Sequence, residues 1–352
     1  MPNPVLTAAI DALASREDLS EQRAAEVLAE IMHGEVSETQ IAGFLIALRT
    51  KGETEQELAG LARTMRELAA RVPTSREDLL DTAGTGGGRR TFNVSTTAAL
   101  IAAGAGCAVA KHGNRSATGP SGSADVLEAL GARIDLTPID VARCIEEAGF
   151  GFMFAPAHHQ ATRYVIPVRR DLAVRTIFNL LGPLTNPAGA TRQLIGVSDE
   201  RFLDTIAGAL VRLGVQRALV VCGEDGLDEI SIAAPTHVVE VAGGDVHRYT
   251  LTPEDVGLAR AADPQDPALA GGTPSENAAI TEAILAGEGE GPAADLALIN
   301  AGGAIYAAGA AATLDDGVQA ARAAIDGGGG ARALERYVHA SRLHAPEPEA
   351  VQ

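Results

Sequence analysis

The sequence has no tryptophan, few other aromatic residues and only two lysines, Lys51 and Lys111, among its 28 basic residues. Because aromatics make up 3% of the chain and hydrophobic residues 46%, the core must be built from Ala, Leu, Val and Ile. Such a core favours close packing of helices on sheets. No apolar run is long enough to span a membrane, and the first residues have neither a basic start nor a long apolar stretch, so no secretory signal is expected.

Positive charge is also scarce, because 28 basic residues face 46 acidic ones, a formal net charge of −18. That balance disfavours nucleic acid as a partner and leaves room only for a local positive pocket. Cys107, Cys144 and Cys222 are scattered singly in apolar surroundings, which predicts buried reduced thiols. No HExxH or other metal-spaced His/Cys cluster occurs, so zinc is not expected. We predict a soluble cytoplasmic protein.

Residues 1–74 are predicted to form a small helical domain. Ser20 and Gly34 are placed to begin and end one helix. Ser37 with Gln40, and Thr54 with Glu57, have the spacing of capping boxes. The Arg-rich segment 160–189 is also helical in pattern, and we expect residues 164–188 to complete the helical domain.

From residue 75 onwards the pattern changes to short apolar runs at 79–84, 106–110, 151–155, 192–197 and 217–222, which alternate with helical stretches. This alternation indicates βα units. The predicted fold class is therefore α/β, with a small all-helical domain and a larger α/β domain that has a mostly parallel central sheet. We assign residues 75–163 and 189–345 to the larger domain and residues 346–352 to a tail.

The stretch DTAGTGGGRRTFNVST, residues 81–96, is the first candidate anion site. Its glycines let backbone N–H groups approach an anion, and the helix predicted to begin near Asn93–Thr96 adds unpaired donors. It is neither a Walker loop, because no GK[ST] follows, nor a dinucleotide fingerprint, because position 89 is Arg. The alternative is an ordinary glycine-rich turn.

The stretch KHGNRSATGPSGSADVLEALG, residues 111–131, is the second candidate anion site. Lys111 is predicted to lie at the exit of a buried strand, where a flexible positive charge suits a phosphate. The small residues that follow lead into a helix and would form a second cradle. A surface lysine before a capped helix is the alternative, and the scarcity of lysine argues mildly against it.

Two further stretches suggest binding sites, one for a cation and one for the carboxylate of a ligand. Asp225, Asp228 and Glu229 crowd together after the run 217–222, and adjacent carboxylates repel unless a cation lies between them. Mg²⁺ is the natural cation beside phosphates, although a solvated acidic turn is the alternative. Among the arginines of segment 160–189, one that faces a cleft could bind a planar carboxylate, and the rest would be surface residues; these arginines are Arg163, Arg169, Arg170 and Arg175. The features together fit a phosphorylated sugar that carries a pyrophosphate and a carboxylate-bearing acceptor.

Motifs along almost the whole chain, in the right order, resemble the anthranilate phosphoribosyltransferases of tryptophan biosynthesis. They are GTGG…TFNVST, KHGNRS…SGSADVLEALG, FMFAPAHH, PVRRDLAVRTIFNLLGPLTNPAG, DGLDEIS, GGTPSENA and LINAGGAIYAAG. The resemblance implies a hinged cleft between the two domains and a homodimer joined through the helical domains. It also implies Mg²⁺-dependent transfer of a phosphoribosyl group from phosphoribosyl pyrophosphate to the amino group of anthranilate.

The resemblance implies site residues motif by motif. For phosphoribosyl pyrophosphate it implies Gly84, Gly87, Gly88, Thr91, Asn93, Val94, Ser95, Thr96, Lys111, His112, Gly113, Asn114, Arg115, Ser116, Ala117, Thr118, Gly119 and Ser123. For anthranilate it implies Gly84, Asn114, His112, His159 and Arg169, with Arg169 on the carboxylate. For Mg²⁺ it implies Ser95, Asp228 and Glu229. No general base is assigned, because the amine needs positioning more than activation.

Two loops depart from the family pattern. The usual GTGGDG and two further residues before TFN are replaced by GTGGGRR, which is one residue shorter and lacks the acidic residue. Thr118-Gly119-Pro120 replaces the usual Ser-Ser-Lys/Arg. We hypothesise that Arg89 and Arg90 compensate by adding direct charge.

One alternative function is a transferase of the same fold with a different arylamine or nucleobase acceptor. Another is a non-catalytic nucleic-acid-binding paralogue, which would be expected to have a basic groove and to lose the Mg²⁺ carboxylates.

Overall fold

The structure is a computed structural model that describes residues 1–116 and 119–346. It begins with four helices: α1 (Pro4–Ala14), α2 (Glu21–His33), α3 (Glu38–Lys51) and α4 (Glu55–Glu67). As predicted, Gly34 ends α2 in a left-handed conformation at φ 79°, and Thr54 with Glu57 forms a complete capping box. The second predicted box is only half formed, because the Gln40 side chain bonds to Asn3 instead of the backbone of Ser37.

The larger domain contains a seven-stranded sheet in the order β3-β2-β1-β4-β5-β6-β7. Strands β1 to β5 are parallel and correspond to the five predicted runs. The antiparallel pair β6 and β7 at one end of the sheet was not predicted from the sequence. The strands are β1 (Leu80–Asp81), β2 (Val109–Gly113), β3 (Phe150–Phe154), β4 (Arg192–Gly196), β5 (Arg217–Gly223), β6 (Thr236–Ala242) and β7 (Asp245–Leu251).

The other helices cover the sheet and its ends. They are α5 (Val94–Gly104), α6 (Ser123–Ala129), α7 (Pro138–Ala148), α8 (Ala155–His158), α9 (Ile166–Leu172), α10 (Phe178–Leu181), α11 (Leu203–Arg212), α12 (Pro274–Leu285), α13 (Pro292–Ala307), α14 (Leu314–Asp326) and α15 (Gly329–His344). Short 3₁₀ helices occur at Gln160–Tyr164, Gly182–Leu184, Glu200–Phe202, Pro253–Val256 and Pro267–Leu269. None of the helices in the described residues is both long and apolar enough to cross a membrane.

Two apolar cores lie on the two faces of the sheet. On β5, Leu219 and Val221 pack into one core with α5, α7 and α12 to α15, whereas Val220 and Cys222 pack into the other. This is the period of two that a strand imposes on its side chains. The second core includes α1 to α4 and also apolar residues between 165 and 184, as expected for a segment that returns to the helical bundle. All three cysteines are buried and free, as predicted.

The parallel strands all end at one edge of the sheet, where ligands bind in folds of this type. The loops after β1, β2, β4 and β5 therefore converge there. Segment 160–184 runs from the end of β3 towards the helical bundle and closes one side of this edge. This geometry places the motif residues of several distant segments around one cleft.

Candidate active site

The loop after β1 is held tightly against the end of β4. The Thr85 backbone N–H donates to the Gly196 carbonyl at 2.8 Å, and Gly84 packs so closely on Gly196 that a Cβ would lie 2.9 Å from its carbonyl oxygen. Gly86 and Gly87 have φ values of 64° and 85°, a conformation that favours glycine. The glycines of this loop therefore serve both its close packing and its turn, and Gly84 and Gly87 are exposed.

Gly88 is packed directly against Asp228. A Cβ on Gly88 would lie 2.3 Å from Asp228 Oδ1, and the Gly88 backbone N–H donates to the Asp228 carboxylate. The φ of Gly88 is not positive, so the lack of space and not the backbone requires glycine here. The shortened loop thus replaces the family's usual acidic side chain with a direct backbone contact to Asp228.

The arginines of this loop do not both face the cleft. The Arg89 backbone N–H donates to the Gly226 carbonyl at 3.0 Å, and its Nη2 lies 3.5 Å from Asp225 Oδ2, so the loop is tied to the acidic turn after β5. Arg90 is exposed. Arg90 can therefore still add positive charge to the phosphate site, as hypothesised. The charge of Arg89 is instead directed at Asp225.

Lys111 lies inside β2 and not at its exit, which corrects the sequence-based prediction. The strand continues to Gly113, and the Lys111 side chain is buried, with 1% exposure. Its Nζ lies 2.9 Å from Thr82 Oγ1, 3.3 Å from the Thr82 carbonyl and 3.3 Å from Ser95 Oγ. These three acceptors match the three donors of an ammonium group. Lys111 therefore ties the loop after β1 to the start of α5.

Asp81, which sequence reasoning did not select, holds the end of β1 to β2 and to Asn186. It is fully buried, and its Oδ1 accepts from the backbone N–H groups of Ala83 and His112, both at 3.1 Å. Its Oδ2 accepts from Asn186 Nδ2 at 2.7 Å. Burial raises the pKa of Asp81, whereas the nearby Lys111 charge opposes that shift. The sequence shows only an acidic residue and a lysine at the ends of two apolar runs. Their proximity becomes visible only when β1 is paired with β2.

Ser95, Asp228 and Glu229, the three residues implied for Mg²⁺, lie close to one another. The Ser95 backbone N–H, in the first turn of α5, donates to the Glu229 carboxylate. Burial, with the neighbouring Asp228 carboxylate, raises the pKa of Glu229 to about 8, and burial also raises the pKa of Asp228. For Glu229 the shift reflects both burial and the neighbouring charge of Asp228, whereas for Asp228 it reflects burial alone. A cation between them would remove this penalty.

The donor set fits Mg²⁺ bound together with substrate phosphates. Two carboxylates and one hydroxyl are oxygen ligands, and Mg²⁺ typically uses one or two carboxylates, water and phosphate oxygens. Among residues 1–116 and 119–346, no group of three or more His, Cys, Asp and Glu side chains is arranged to hold a metal ion. Two carboxylates and one hydroxyl leave coordination positions for phosphate oxygens and water, which suits a metal that arrives with a phosphorylated substrate.

The start of α5 is fixed by polar contacts from other segments. Asn93 Oδ1 accepts from Ser121 Oγ at 2.9 Å and from Asn277 Nδ2 at 2.8 Å. Val94 and Thr96 are buried in the first turn, and the Thr96 hydroxyl has no hydrogen-bond partner in the described residues. Thr91, half-buried, precedes them. Sequence reasoning selected Asn93 but missed Ser121 and Asn277, although both lie in family motifs.

The loop after β2 binds mainly to itself and to α6. Gly113 leaves no space for a Cβ, which would lie 2.2 Å from Ser123 Oγ. The Asn114 backbone N–H donates to Ser123 Oγ, and its side chain is exposed. The Gly119 N–H donates to Ser116 Oγ at 2.7 Å. Ala117 and Thr118, also predicted to bind the substrate, lie outside the described residues.

Arg115 forms ion pairs with two acidic residues of α6. Its Nη1 lies 2.8 Å from Asp125 Oδ1 and 2.5 Å from Glu128 Oε2. Asp125 also accepts from the backbone N–H groups of Ser116 and Gly122. In this arrangement the Arg115 side chain orders the loop, and it would have to leave two carboxylates to contact a phosphate.

His112 and His159 form a neutral pair with free acceptor atoms. Their ring centroids lie 5.1 Å apart, and the Nε2 atom of each is buried with no hydrogen-bond partner in the described residues. His112 Nδ1 pairs with the Gly182 carbonyl at 3.0 Å, which makes Nδ1 the donor and Nε2 the acceptor. Burial lowers the pKa of His112 to about 3 and that of His159 to about 4. Both rings are therefore uncharged near pH 7.

Arg169 is the arginine of segment 160–189 best placed for a carboxylate ligand. It is half-buried in α9, its guanidinium lies 5.5 Å from the centre of the Phe178 ring, and burial lowers its pKa. No carboxylate among the described residues lies within ion-pair distance of it. Its neighbour Arg170 pairs instead with Asp171 in solvent, at 3.5 Å. A desolvated guanidinium of this kind is stabilised by an anionic partner.

Comparisons with known proteins agree with this geometry. Residues 76–331 match the family described as "Glycosyl transferase family, a/b domain", and residues 7–69 match its "helical bundle domain". The chain is 54% identical to the anthranilate phosphoribosyltransferase of Symbiobacterium thermophilum over 92% of this chain and 94% of that protein. It is 52% identical to that of Rubrobacter xylanophilus over 96% and 98%.

Solved structures give the same result. The anthranilate phosphoribosyltransferase of Thermus thermophilus superposes with a TM-score of 0.89 at 49% identity, over 95% of this chain and 99% of that chain. The Saccharomyces cerevisiae enzyme in complex with phosphoribosyl pyrophosphate and Mg superposes with a TM-score of 0.87 at 27% identity, over 96% and 98%. The chain belongs to the anthranilate phosphoribosyltransferase family.

Proposed function

We propose that the cleft at the carboxyl edge of the sheet is where this enzyme carries out its family's reaction, the transfer of a phosphoribosyl group from phosphoribosyl pyrophosphate to anthranilate in tryptophan biosynthesis. The observation that carries the proposal is the convergence of the glycine loop, Ser95 and the Asp228–Glu229 pair at one edge. A pyrophosphate bound there would meet backbone donors on one side and a cation site on the other. The yeast relative solved with phosphoribosyl pyrophosphate and Mg supports this assignment.

Mg²⁺ would be held by Asp228, Glu229 and Ser95 together with the substrate's own oxygens. When bound, it would neutralise charge on the leaving pyrophosphate. Lys111 is held between Thr82 and Ser95 and contributes a fixed positive charge beside this site. We propose that this charge acts on the phosphates through space, and that a direct contact would require Lys111 to release one of its present acceptors.

Anthranilate would bind with its carboxylate on Arg169 and its amino group towards the histidine pair. A planar guanidinium can bind a carboxylate with two parallel hydrogen bonds. The free Nε2 atoms of His112 and His159 can each accept an N–H, so they can orient the amine lone pair towards the sugar. As the C1–O bond to pyrophosphate breaks, the C1–N bond forms and the nitrogen passes one proton to the released pyrophosphate or to water. Orientation supplies the main advantage in such a step, and we assign no general base.

The predicted homodimer is also proposed here. Ile46 of α3 and Ile166 of α9 are exposed large apolar residues, 38% and 50% accessible, on the bundle side. Their exposure supports a contact between helical domains. We expect a dimer by light scattering and a monomer for Ile46→Glu/Ile166→Glu. A cytoplasmic location and the absence of nucleic-acid binding remain predictions, and the second follows from the net charge of −18.

The loss of anthranilate fluorescence tests the proposed function. We expect a loss that requires the protein, Mg²⁺ and phosphoribosyl pyrophosphate together. Arg169→Gln should raise the KM for anthranilate at least about tenfold, since a charged hydrogen-bond partner is worth roughly 1.5–3 kcal/mol. Arg170→Gln is the matched control and should leave the KM unchanged. Equal effects of the two variants would contradict the role of Arg169, and turnover only with another arylamine or a nucleobase would identify a different acceptor.

A further inference from the structure

A polar cavity of about 530 Å³ lies between the helical bundle and the larger domain, beside the glycine loop. Apart from Arg175, one of the four candidate carboxylate-binding arginines of segment 160–189, its lining includes none of the residues predicted to bind either substrate or the metal. The bundle contributes Arg49 and Glu53, and the larger domain contributes Asp199 and Arg201. Arg175 and Thr176, from the segment that links the two, complete one wall. The cavity therefore adjoins the catalytic cleft and shares Arg175 with it, because Arg175 also donates to the Gly86 carbonyl.

Two arginines in this cavity lack a charged partner. Arg49 Nη1 donates to the Arg175 carbonyl at 2.8 Å, and Arg175 Nη2 donates to the Gly86 carbonyl at 2.9 Å. Both acceptors are neutral, and within the described part of the chain no carboxylate lies within ion-pair distance of either guanidinium. Arg201, in contrast, is neutralised by a two-point contact with Asp199. Their nearest acidic neighbours act only at longer range, Glu53 on Arg49 and both Asp199 and Asp228 on Arg175. Two arginines without a direct ion pair are unusual in a protein with a net charge of −18.

Neutral polar groups in the cavity point to the same kind of ligand. Thr176 is only 4% exposed, and its hydroxyl has no hydrogen-bond partner in residues 1–116 and 119–346. Asn179 uses its Oδ1 to accept from the Thr176 backbone N–H at 3.0 Å, which leaves its amide N–H groups as donors on the cavity wall. A buried hydroxyl that pairs with no protein group usually pairs with a ligand or water.

We propose that this cavity is a second anion site, which takes a small ligand with two anionic groups, such as pyrophosphate or a dicarboxylate. The guanidiniums of Arg49 and Arg175 would each bind one anionic group, and the Thr176 hydroxyl and Asn179 amide would donate to the remaining oxygens. Arginine is suited to both kinds of oxyanion. Because Arg175 also holds the Gly86 carbonyl, an anion here contacts the residue that supports the glycine loop.

Glu53 gives the proposal an internal control. It lines the cavity, and burial raises its pKa, while no basic side chain of the described residues forms an ion pair with it. Its charge opposes an anion, whereas the charge of Arg49 favours one. Neutralising each in turn should therefore change the affinity in opposite directions, which a change in overall folding would not produce.

The test is calorimetric titration of the whole protein with inorganic pyrophosphate and, separately, with malonate. The catalytic cleft is first saturated with phosphoribosyl pyrophosphate and Mg²⁺ in the absence of anthranilate, so that no turnover occurs. We expect one remaining site per chain for at least one probe. Arg49→Gln should weaken it about tenfold, the effect of losing one charged hydrogen-bond partner, and Glu53→Gln should strengthen it. Arg23→Gln, at an exposed arginine of α2, is the matched control and should change nothing.

The two probes separate the sources of the anion, since binding of pyrophosphate alone assigns a phosphate-type ligand and binding of malonate alone a dicarboxylate. No remaining site for either probe, or equal losses in Arg49→Gln and Arg23→Gln, would overturn the proposal. Titration with phosphoribosyl pyrophosphate itself reports on the catalytic cleft independently, so a failure of the proposed function would be seen separately.

Discussion

Replacing Gly88 with alanine tests the contact between the shortened loop and the cation site. The added Cβ would lie 2.3 Å from Asp228 Oδ1 and 2.8 Å from its Cγ, which is closer than carbon and oxygen atoms tolerate. Since φ at Gly88 is not positive, the backbone itself accepts alanine, and the strain falls on Asp228. Overpacking of this kind costs about 1–3 kcal/mol. If displacement of Asp228 absorbs that cost, the affinity for Mg²⁺ falls about five- to 150-fold.

The assay is the Mg²⁺ concentration that gives half-maximal turnover at saturating phosphoribosyl pyrophosphate. Gly86→Ala is the control in the same loop, because φ is 64° there but nothing lies within 4 Å of the new Cβ. It should lower stability by about 1 kcal/mol through backbone strain and leave the Mg²⁺ requirement unchanged. An unchanged Mg²⁺ requirement in Gly88→Ala, with the fold intact, would refute the assignment of Asp228.

Three further predictions concern buried groups and the metal. Asp81→Asn removes one of the two carboxylates, with Glu229, that favour the charged form of the buried Lys111, and it leaves a buried backbone N–H poorly satisfied. It should lower the free energy of unfolding by about 1–3 kcal/mol, with partial recovery in Asp81→Asn/Lys111→Met; urea unfolding measures both. The folded-state pKa values of His112 and His159, about 3 and about 4, lie below the usual value of 6.5, so protonation favours the unfolded chain. Stability should therefore fall by about 1.4 kcal/mol per pH unit for each ring as the pH drops below about 6.5, and His112→Asn should show a shallower slope; equal slopes would contradict the assignment. Removal of Mg²⁺ with EDTA should weaken phosphoribosyl pyrophosphate binding in calorimetry far more than anthranilate binding.

The elements that were predictable from sequence are those whose signal is local. The five parallel strands appear as short apolar runs, and Thr54 with Glu57 forms the predicted capping box. The hairpin of β6 and β7 was missed even though Gly243 and Gly244, with φ values of 61° and 96°, form the kind of turn that joins such strands. The residues of β7 are mostly exposed, so the hydrophobic pattern of that strand was weak.

The sequence predicted which residues belong to the candidate site, but it did not predict the groups that their side chains contact. The motif identified Lys111, but its burial between Thr82 and Ser95 depends on where β2 ends and on the pairing of β1 with β2. The role of Arg89 was misjudged for a similar reason, because its partner Asp225 is more than one hundred residues away in sequence. Asp81 and Arg175 act through backbone atoms of other segments, and no spacing rule within the sequence reveals such contacts.

Identification of the product tests directly whether this protein transfers a phosphoribosyl group to anthranilate. Purified protein would be incubated with Mg²⁺, phosphoribosyl pyrophosphate and anthranilate, and anthranilate consumption would be compared with pyrophosphate release while mass spectrometry follows the product. The account predicts N-(5-phosphoribosyl)anthranilate and pyrophosphate in equal amounts, both lost when Mg²⁺ is removed. Folded protein that releases pyrophosphate without consuming anthranilate, or that forms no adduct, would contradict it.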